Sequence, residues 1–172
     1  MPGSGNSASW YALLSGQSPE LLGSIRGLLT AFRSLVIEDP LLKLVAARAA
    51  QLNHCAPSLA AHIELARRQG EHPTRLCHLS AWRDSCLFGP RERAALEWAE
   101  IFASSPDPAD MDAVDGAAIG LSATDVSTLG FVVAVVNLCG RMQPSDVVAE
   151  PFGTSLGSDP IPSDGTTDPY VR

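Results

Sequence analysis

The stretch DPLLKLVAARAAQLNHCAPSLAAHIELARRQG, residues 39–70, contains two helical patterns separated by a short turn. Asp39-Pro40 is a helix-starting pair, because aspartate suits the N-cap and proline suits the first helical position. Residues 41–52 carry Leu, Val and Ala on nearly every side, and only Lys43, Arg48 and Gln51 interrupt them. We expect a helix of this composition to be buried all round.

The second pattern predicts a helix that begins near Cys55 or Ser58 and ends near Gln69. Two arginines lie in its last turn, where the helix dipole favours positive charge. Gly70 follows, and glycine is the residue best suited to the left-handed conformation just past a helix end. Residues 39–70 therefore predict two consecutive helices.

Similar start and stop signals lie on both sides of this stretch. Ser18-Pro19-Glu20 predicts a helix to about Leu35, and Gly89-Pro90 predicts a helix over RERAALEWAEIFA. Ser122-Ala-Thr-Asp125 resembles a capping box and predicts a last helix over about residues 124–142. Short helices are expected at 73–79 and 80–84. The FVVAVV run within the last segment has strand propensity, but the cap and the length favour a buried helix, so we predict an all-α fold.

The chain length predicts one helical domain with less structured ends. With 172 residues and 18.1 kDa, the chain is long enough for one core and too short for two ordinary domains. Residues 18–142 contain the helical patterns. Residues 1–17 are rich in Gly, Ser and Asn, which predicts a flexible N-terminal arm, and residues 143–172 are a Pro/Gly/Ser/Asp-rich tail.

Charge and hydropathy exclude several classes of partner. The net charge of −7 and the pI near 4.9 leave no cationic field for nucleic acid or an anionic membrane. The longest apolar run, residues 129–136, is far shorter than the ~20 residues that span a bilayer. The N-terminus lacks a secretory pattern, and the four cysteines include no C-x-x-C pair. We therefore expect a cytoplasmic protein that binds neither nucleic acid nor membrane.

Three reactive side chains share one face of the second predicted helix. At about 100° per residue, Cys55 and His62 differ by about 20° around the axis, and Ser58 lies about 60° from Cys55. Cys55 is expected at the N-terminal end of the helix, where unpaired backbone N–H groups favour a thiolate. This placement is typical of a nucleophilic cysteine, whereas a histidine such as His62 is, by its position alone, more often a core residue.

Three ordered blocks of the sequence resemble the alkylhydroperoxidase D (AhpD) and carboxymuconolactone decarboxylase superfamily. They are LLKLVAARAAQLNHCAPSLAAHIELARRQGE, HLSAWRDSCLFGPRERAALEWAE and VVNLCGRM, and the likeness covers residues 18–142. The resemblance implies an all-α domain that forms dimers, trimers or hexamers. In AhpD-like members a glutamate, a C-x-x-C pair and a histidine form the site, and the cysteine pair reduces peroxides and is recycled by thiol exchange.

By this resemblance the redox motif is degenerate. Cys55 matches the first cysteine and His62 the histidine, whereas Ser58 stands at the second cysteine. Lys43, the only lysine in the chain, stands at the glutamate, where it could anchor an anionic substrate, act as an acid or favour the thiolate. We weigh this against a side chain that extends into solvent. Further matches are scaffold positions: Arg48, Asn53, Trp82, Arg91, Glu92, Asn137 and Arg141.

Three functions are compatible with this motif. The first is an enzyme repurposed for cofactor-free, non-redox chemistry of the isomerase, lyase or cyclase type on a small carboxylate or carbonyl compound. Cys55, His62, Lys43 and Ser58 are its candidate residues. The second is a one-cysteine alkyl hydroperoxide reductase acting through Cys55, since a serine cannot form a disulfide. The third is a non-catalytic oligomeric family member.

Several other residues are assigned structural roles. A zinc site at His54, Cys55 and His62 lacks a fourth ligand, so no metal or other cofactor is expected. The remaining histidines are expected at the surface. Cys77, Cys86 and Cys139 are interpreted as core residues, with Cys86 as the remote candidate for resolving an oxidised Cys55. The expected partners are a small-molecule substrate and further copies of the chain.

Overall fold

The computed structural model describes residues 18–104 and 120–142, and every regular element in these ranges is helical. A 3-10 helix at Leu79–Ala81 follows the fourth α-helix. The α-helices are α1 (Pro19–Glu38), α2 (Pro40–Leu52), α3 (Ala56–Arg68), α4 (Pro73–His78), α5 (Pro90–Ala103) and α6 (Ala123–Met142). The all-α class predicted from the sequence is thus confirmed for the described ranges. The predicted arm at 1–17 and the tail at 143–172 lie outside them.

Helix α2 lies at the centre of the domain and contacts α1, α3, α5 and α6. Nine of its residues are buried, including Leu44, Val45 and Ala46, which have no exposed surface. One side of α2 contributes to a large apolar cluster with α1, α3, α5 and α6, and Leu44 and Ala47 belong to a second cluster with Leu76, Trp82 and others. The expectation of a helix buried all round is confirmed.

The helix ends have identifiable causes. Asp39 Oδ1 accepts a hydrogen bond from the Leu41 N–H at 2.8 Å, and Asp39 itself is extended, as a residue before proline should be. The capping box at α6 is present, because the Asp125 N–H donates to Ser122 Oγ while the Ser122 N–H donates to Asp125 Oδ2. Gly70 has a φ of +88°, the left-handed conformation expected after α3.

Some local predictions need correction. Ser18 makes no side-chain capping bond, and α1 ends at Glu38 rather than near Leu35. Its extra turn is stabilised by Val36, which packs with no exposed surface in the large cluster. The helix predicted at 80–84 is the shorter 3-10 helix. Cys77 and Cys86 are exposed rather than core residues, and only Cys139 among the three is buried.

Helix α6 is unusually apolar. Within the described ranges, it is the one helix whose length and mean hydropathy, 1.5 over Ala123–Arg141, would suffice to cross a bilayer. A third of that window is buried inside the domain, and Leu129, Val132 and Val133 are core residues. The core helix of a globular protein meets the same criterion, so this is weak support for a membrane span.

Candidate functional site

The candidate site begins at the turn between α2 and α3. The Cys55 N–H donates to the Ala50 carbonyl at 3.2 Å, which closes the end of α2, and the Cys55 carbonyl accepts from the Leu59 N–H at 2.9 Å, which opens α3. His54, in the turn between α2 and α3, has a φ of +52°, a left-handed conformation that costs a non-glycine residue free energy. The chain thus reverses sharply and leaves Cys55 at the N-cap of α3.

Two of the predicted residues, Ser58 and His62, lie on α3, and the third, Cys55, lies at its N-cap. Cys55 is half-buried, while Ser58 and His62 are only 1% and 2% exposed. Ser58 and His62 lie one helical turn apart, so both point toward the core from the same face of α3. The reactive face is therefore open at Cys55 and deeply buried at His62.

Burial decides the protonation state of His62. Desolvation lowers its pKa from 6.5 to about 4, because the charged imidazolium loses its hydration in the core. The Phe32 ring of α1 meets the imidazole edge-to-face, with 5.9 Å between ring centroids. His62 is therefore a neutral imidazole at pH 7.

Ser58 is a buried hydroxyl without a hydrogen-bond partner in the part of the chain that the structure describes. A buried polar group in this state costs roughly 1–3 kcal/mol relative to a satisfied one. Such a group is characteristic of a site that accepts a ligand or a water molecule. The side chain that replaces the second cysteine thus remains available as a donor.

Lys43 is buried in α2, with 6% of its surface exposed. The alternative in which it extends into solvent is therefore wrong. No ion pair links Lys43 to a carboxylate whose side chain the structure describes, and no hydrogen bond among those side chains joins it to Cys55. Its role in the site stays a prediction.

A polar network holds α2 against α5 beside the site. Glu100 Oε1 accepts hydrogen bonds from Arg48 Nε at 2.7 Å and from Trp82 Nε1 at 2.8 Å, and Glu100 Oε2 pairs with Arg83. Burial would raise the pKa of Glu100, but these hydrogen bonds outweigh it and hold the pKa below its usual value. Two of the predicted scaffold residues, Arg48 and Trp82, thus share one carboxylate.

A second connection joins the turn at the site to α6. Asn53 Nδ2 donates to Asn137 Oδ1 at 2.8 Å, which pairs two more of the predicted scaffold residues. The neighbouring Cys139 is buried, and its pKa is raised to about 11 by desolvation and by the nearby Cys55. Sequence reasoning missed this proximity, because no periodicity or spacing links residues so far apart in the chain.

Other parts of the molecule are separate from this face. No three His, Cys, Asp or Glu side chains converge as metal ligands in the described ranges. A cleft of about 370 Å³ lies between the starts of α2 and α6, lined by Leu42, Thr124 and Leu129 among others. None of the four candidate residues lines that cleft.

The fold and the site define a helical domain with a cysteine at a helix N-cap and a buried histidine two turns later. The profile of the carboxymuconolactone decarboxylase family matches residues 29–100, which include α2, α3 and most of α5. Residues 29–100 thus match the carboxymuconolactone decarboxylase family, which confirms the resemblance noted in the sequence for that region.

Two known proteins are similar to the chain in sequence or in structure. Over 58 residues, 34% of this chain, the sequence is 38% identical to the uncharacterized protein YdfG of Bacillus subtilis (strain 168). That match spans 40% of the relative's length. The structure is also similar to the crystal structure of ATU0492 from Agrobacterium tumefaciens, a protein of unknown function proposed to be the antioxidant defence protein AhpD. The TM-score is 0.63 at 19% identity, over 86% of this chain and 97% of the other, which shows a shared fold.

Proposed function

We propose that this protein is an enzyme that carries out cofactor-free acid/base chemistry on a small carboxylate or carbonyl compound. The observation that supports the proposal most strongly is the buried His62, whose pKa of about 4 keeps the imidazole neutral at pH 7. A neutral imidazole can accept a proton from a carbon next to a carbonyl group. His62 is thus the base.

An anionic substrate would bring His62 into its working range. A general base is most effective when its pKa lies near the operating pH. A carboxylate bound near His62 favours the imidazolium and so raises the pKa of His62 above about 4. The charge of the substrate thus makes the buried imidazole of His62 a stronger base. We therefore expect small anions to react faster than neutral compounds.

Lys43 and Ser58 supply the complementary binding groups. Lys43 is buried and has no ion pair with a carboxylate whose side chain the structure describes, so it suits the carboxylate of a substrate. The unpartnered hydroxyl of Ser58 suits a substrate carbonyl oxygen. Because Ser58 cannot form a disulfide with Cys55, the two-cysteine cycle within the motif is lost.

Proton exchange in D₂O tests the proposal whatever product the enzyme forms. Short oxo acids and their methyl esters are incubated with the protein, and loss of the C–H signal next to the carbonyl is followed by NMR. We expect exchange with at least one acid, and His62→Gln should slow it by about 100-fold or more. The exposed His72→Gln is the matched control and should exchange as the unmodified protein does.

The ester substrates isolate the part played by Lys43. Lys43→Met keeps an apolar stem of similar length and deletes the charge. It should raise KM for the acids and leave KM for the methyl esters nearly unchanged. Exchange that is equally fast in His62→Gln, or equal losses for acids and esters in Lys43→Met, would contradict the assignment.

A second function is favoured by the position of Cys55. Cys55 is half-buried at the N-cap of α3, so part of the residue is exposed to a small oxidant, as a one-cysteine alkyl hydroperoxide reductase requires. In that case peroxide consumption with an external thiol is lost in Cys55→Ser and kept in His72→Gln. If the protein catalyses neither proton exchange nor peroxide consumption, the third function, a non-catalytic oligomeric family member, is supported.

A further inference from the structure

The C-terminal part of helix α6 contacts the turn that contains Cys55. Besides the bond between Asn53 and Asn137, the backbone of Gly140 lies so close to Asn53 that a Cβ at position 140 would be 3.2 Å from Asn53 Cβ. A contact this short is tighter than most side-chain carbons make, so a larger residue at position 140 would have to push Asn53 back by a few tenths of an ångström. The segment 137–140 is therefore held directly against the residues that precede Cys55.

Cys139 lies within this segment, residues 137–140. It is 8% exposed and packs in the large apolar cluster that also contains Ala50. The carbonyl of Ala50 accepts the hydrogen bond from the Cys55 backbone. The two cysteines thus flank the same end of α2, one from the turn and one from α6. The influence of Cys55 on the pKa of Cys139 agrees with this placement.

We propose that Cys55 and Cys139 form a redox-active dithiol in which Cys139, rather than a residue of the degenerate motif, resolves oxidised Cys55. The inference goes beyond the acid/base function and does not rest on it, since it requires only two thiols and a hydroperoxide. It deepens the peroxide chemistry given above as the second function, because it assigns the resolving thiol of that chemistry to Cys139.

The chemistry balances in two steps. The Cys55 thiolate attacks the terminal oxygen of ROOH, the O–O bond breaks, and ROH leaves with a proton while Cys55 becomes a sulfenic acid. The Cys139 sulfur then attacks the Cys55 sulfur, the S–O bond breaks, and the hydroxyl leaves as water with the Cys139 proton. Two thiols are oxidised to one disulfide, and one ROOH is reduced to ROH and water. An external dithiol restores both cysteines.

The burial of Cys139 sets the relative rates of these steps. A thiol whose pKa is raised to about 11 is almost fully protonated at pH 7, and the thiolate is the attacking species. Formation of the disulfide should therefore be slower than formation of the sulfenic acid. Its rate should rise with pH between 7 and 9, and the sulfenic acid should live long enough to be trapped by dimedone.

The test uses the full chain, one equivalent of hydrogen peroxide, alkylation of the remaining thiols and peptide mapping by mass spectrometry. The unmodified protein should give a Cys55–Cys139 disulfide, with Cys77 and Cys86 alkylated. This result needs no variant and so does not depend on the folding of one. A disulfide from Cys55 to Cys77 or Cys86, a disulfide between chains, or alkylated Cys139 after complete oxidation of Cys55 would overturn the proposal.

Variants then assign the roles of the two cysteines. Cys139→Ala should abolish the disulfide and leave Cys55 as a dimedone-reactive sulfenic acid that excess peroxide converts to sulfinic acid. Cys86→Ser, at an exposed cysteine, is the matched control and should keep the disulfide yield of the unmodified protein. If Cys86→Ser abolishes the disulfide and Cys139→Ala does not, the resolving residue is Cys86.

Discussion

At the scale of single residues, burial and backbone conformation set the chemistry more than residue type does. His62 is an ordinary histidine in sequence, but the core around α3 removes its hydration and makes it neutral. His54, next to Cys55, is exposed and in a left-handed conformation. Both observations lead to measurable effects on stability.

The stability of the fold should depend on pH through His62. Its pKa is about 4 in the folded chain and 6.5 when unperturbed, so between these values the unfolded chain binds a proton that the folded chain does not. The contribution is fully present above pH 6.5 and is lost as the pH falls toward 4, with a limiting slope of about 1.4 kcal/mol per pH unit.

Urea unfolding between pH 7.5 and 4.5 measures this slope. Acidic residues also titrate at the lower end, so the relevant quantity is the difference between the unmodified protein and His62→Gln. That difference should shrink as the pH falls. His72→Gln, at the exposed N-cap of α4, should keep the slope of the unmodified protein. Parallel curves for His62→Gln and the unmodified protein would show that His62 titrates normally.

Replacement of His54 by glycine should stabilise the protein by about 1 kcal/mol, because glycine adopts a positive φ without steric cost. His54→Ala removes the same imidazole but keeps the left-handed strain, so it is the matched comparison. The two variants are compared by thermal and urea unfolding. Equal stability of the glycine and alanine variants would mean that the turn carries no such strain.

At the scale of elements, the junction of α2 and α5 depends on the carboxylate of Glu100. Its side chain is 15% exposed and accepts hydrogen bonds from Arg48 and Trp82. Hydrogen bonds to a charged, partly buried group contribute more than those between neutral groups. This network aligns the helix that presents Lys43 and that ends at the Cys55 turn.

Glu100→Gln should lower the free energy of unfolding by about 1.5–3 kcal/mol, because a neutral amide leaves Arg48 without its ion-pair partner. Glu97→Gln, an exposed position on the same helix, makes the same chemical change and should alter stability by less than about 0.5 kcal/mol. Urea unfolding at pH 7 measures both. Similar losses in the two variants would place the effect in helix α5 itself rather than in the network.

At the scale of the whole molecule, the apolar surface of α6 predicts self-association. Ala134 is exposed and Phe131 and Leu138 are half-buried, and all three lie on one side of the helix. Leu21 and Leu35 on α1 are also exposed. Apolar surface of this kind in one domain favours a subunit interface. We therefore expect a dimer or a multiple of a dimer.

Light scattering at micromolar concentration measures the oligomeric state. Ala134→Glu places a charge on the apolar side of α6 and should shift the protein toward the monomer. Ala123→Glu, which is exposed in the first turn of the same helix, should leave the state unchanged, because an acidic side chain is favourable there. A monomer for the unmodified protein would contradict the prediction.

Comparison of sequence with structure separates local from long-range causes. The helices, the proline and capping-box starts, the stop at Gly70 and the shared face of Ser58 and His62 were all predictable, because each depends on residues within a few positions of one another. The extension of α1 beyond Leu35 was not predictable, since Val36 is held in the helix by packing against distant residues.

The amino-acid sequence by itself determined which residues line the face of α3 and which side chains replace those of the redox motif. The tertiary structure alone decided that Lys43 and His62 are buried and that the α6 segment containing Cys139 lies against Asn53, two residues before Cys55. The reason is physical: helical periodicity acts over one or two turns, whereas desolvation and the meeting of α6 with the Cys55 turn arise only when distant helices pack together.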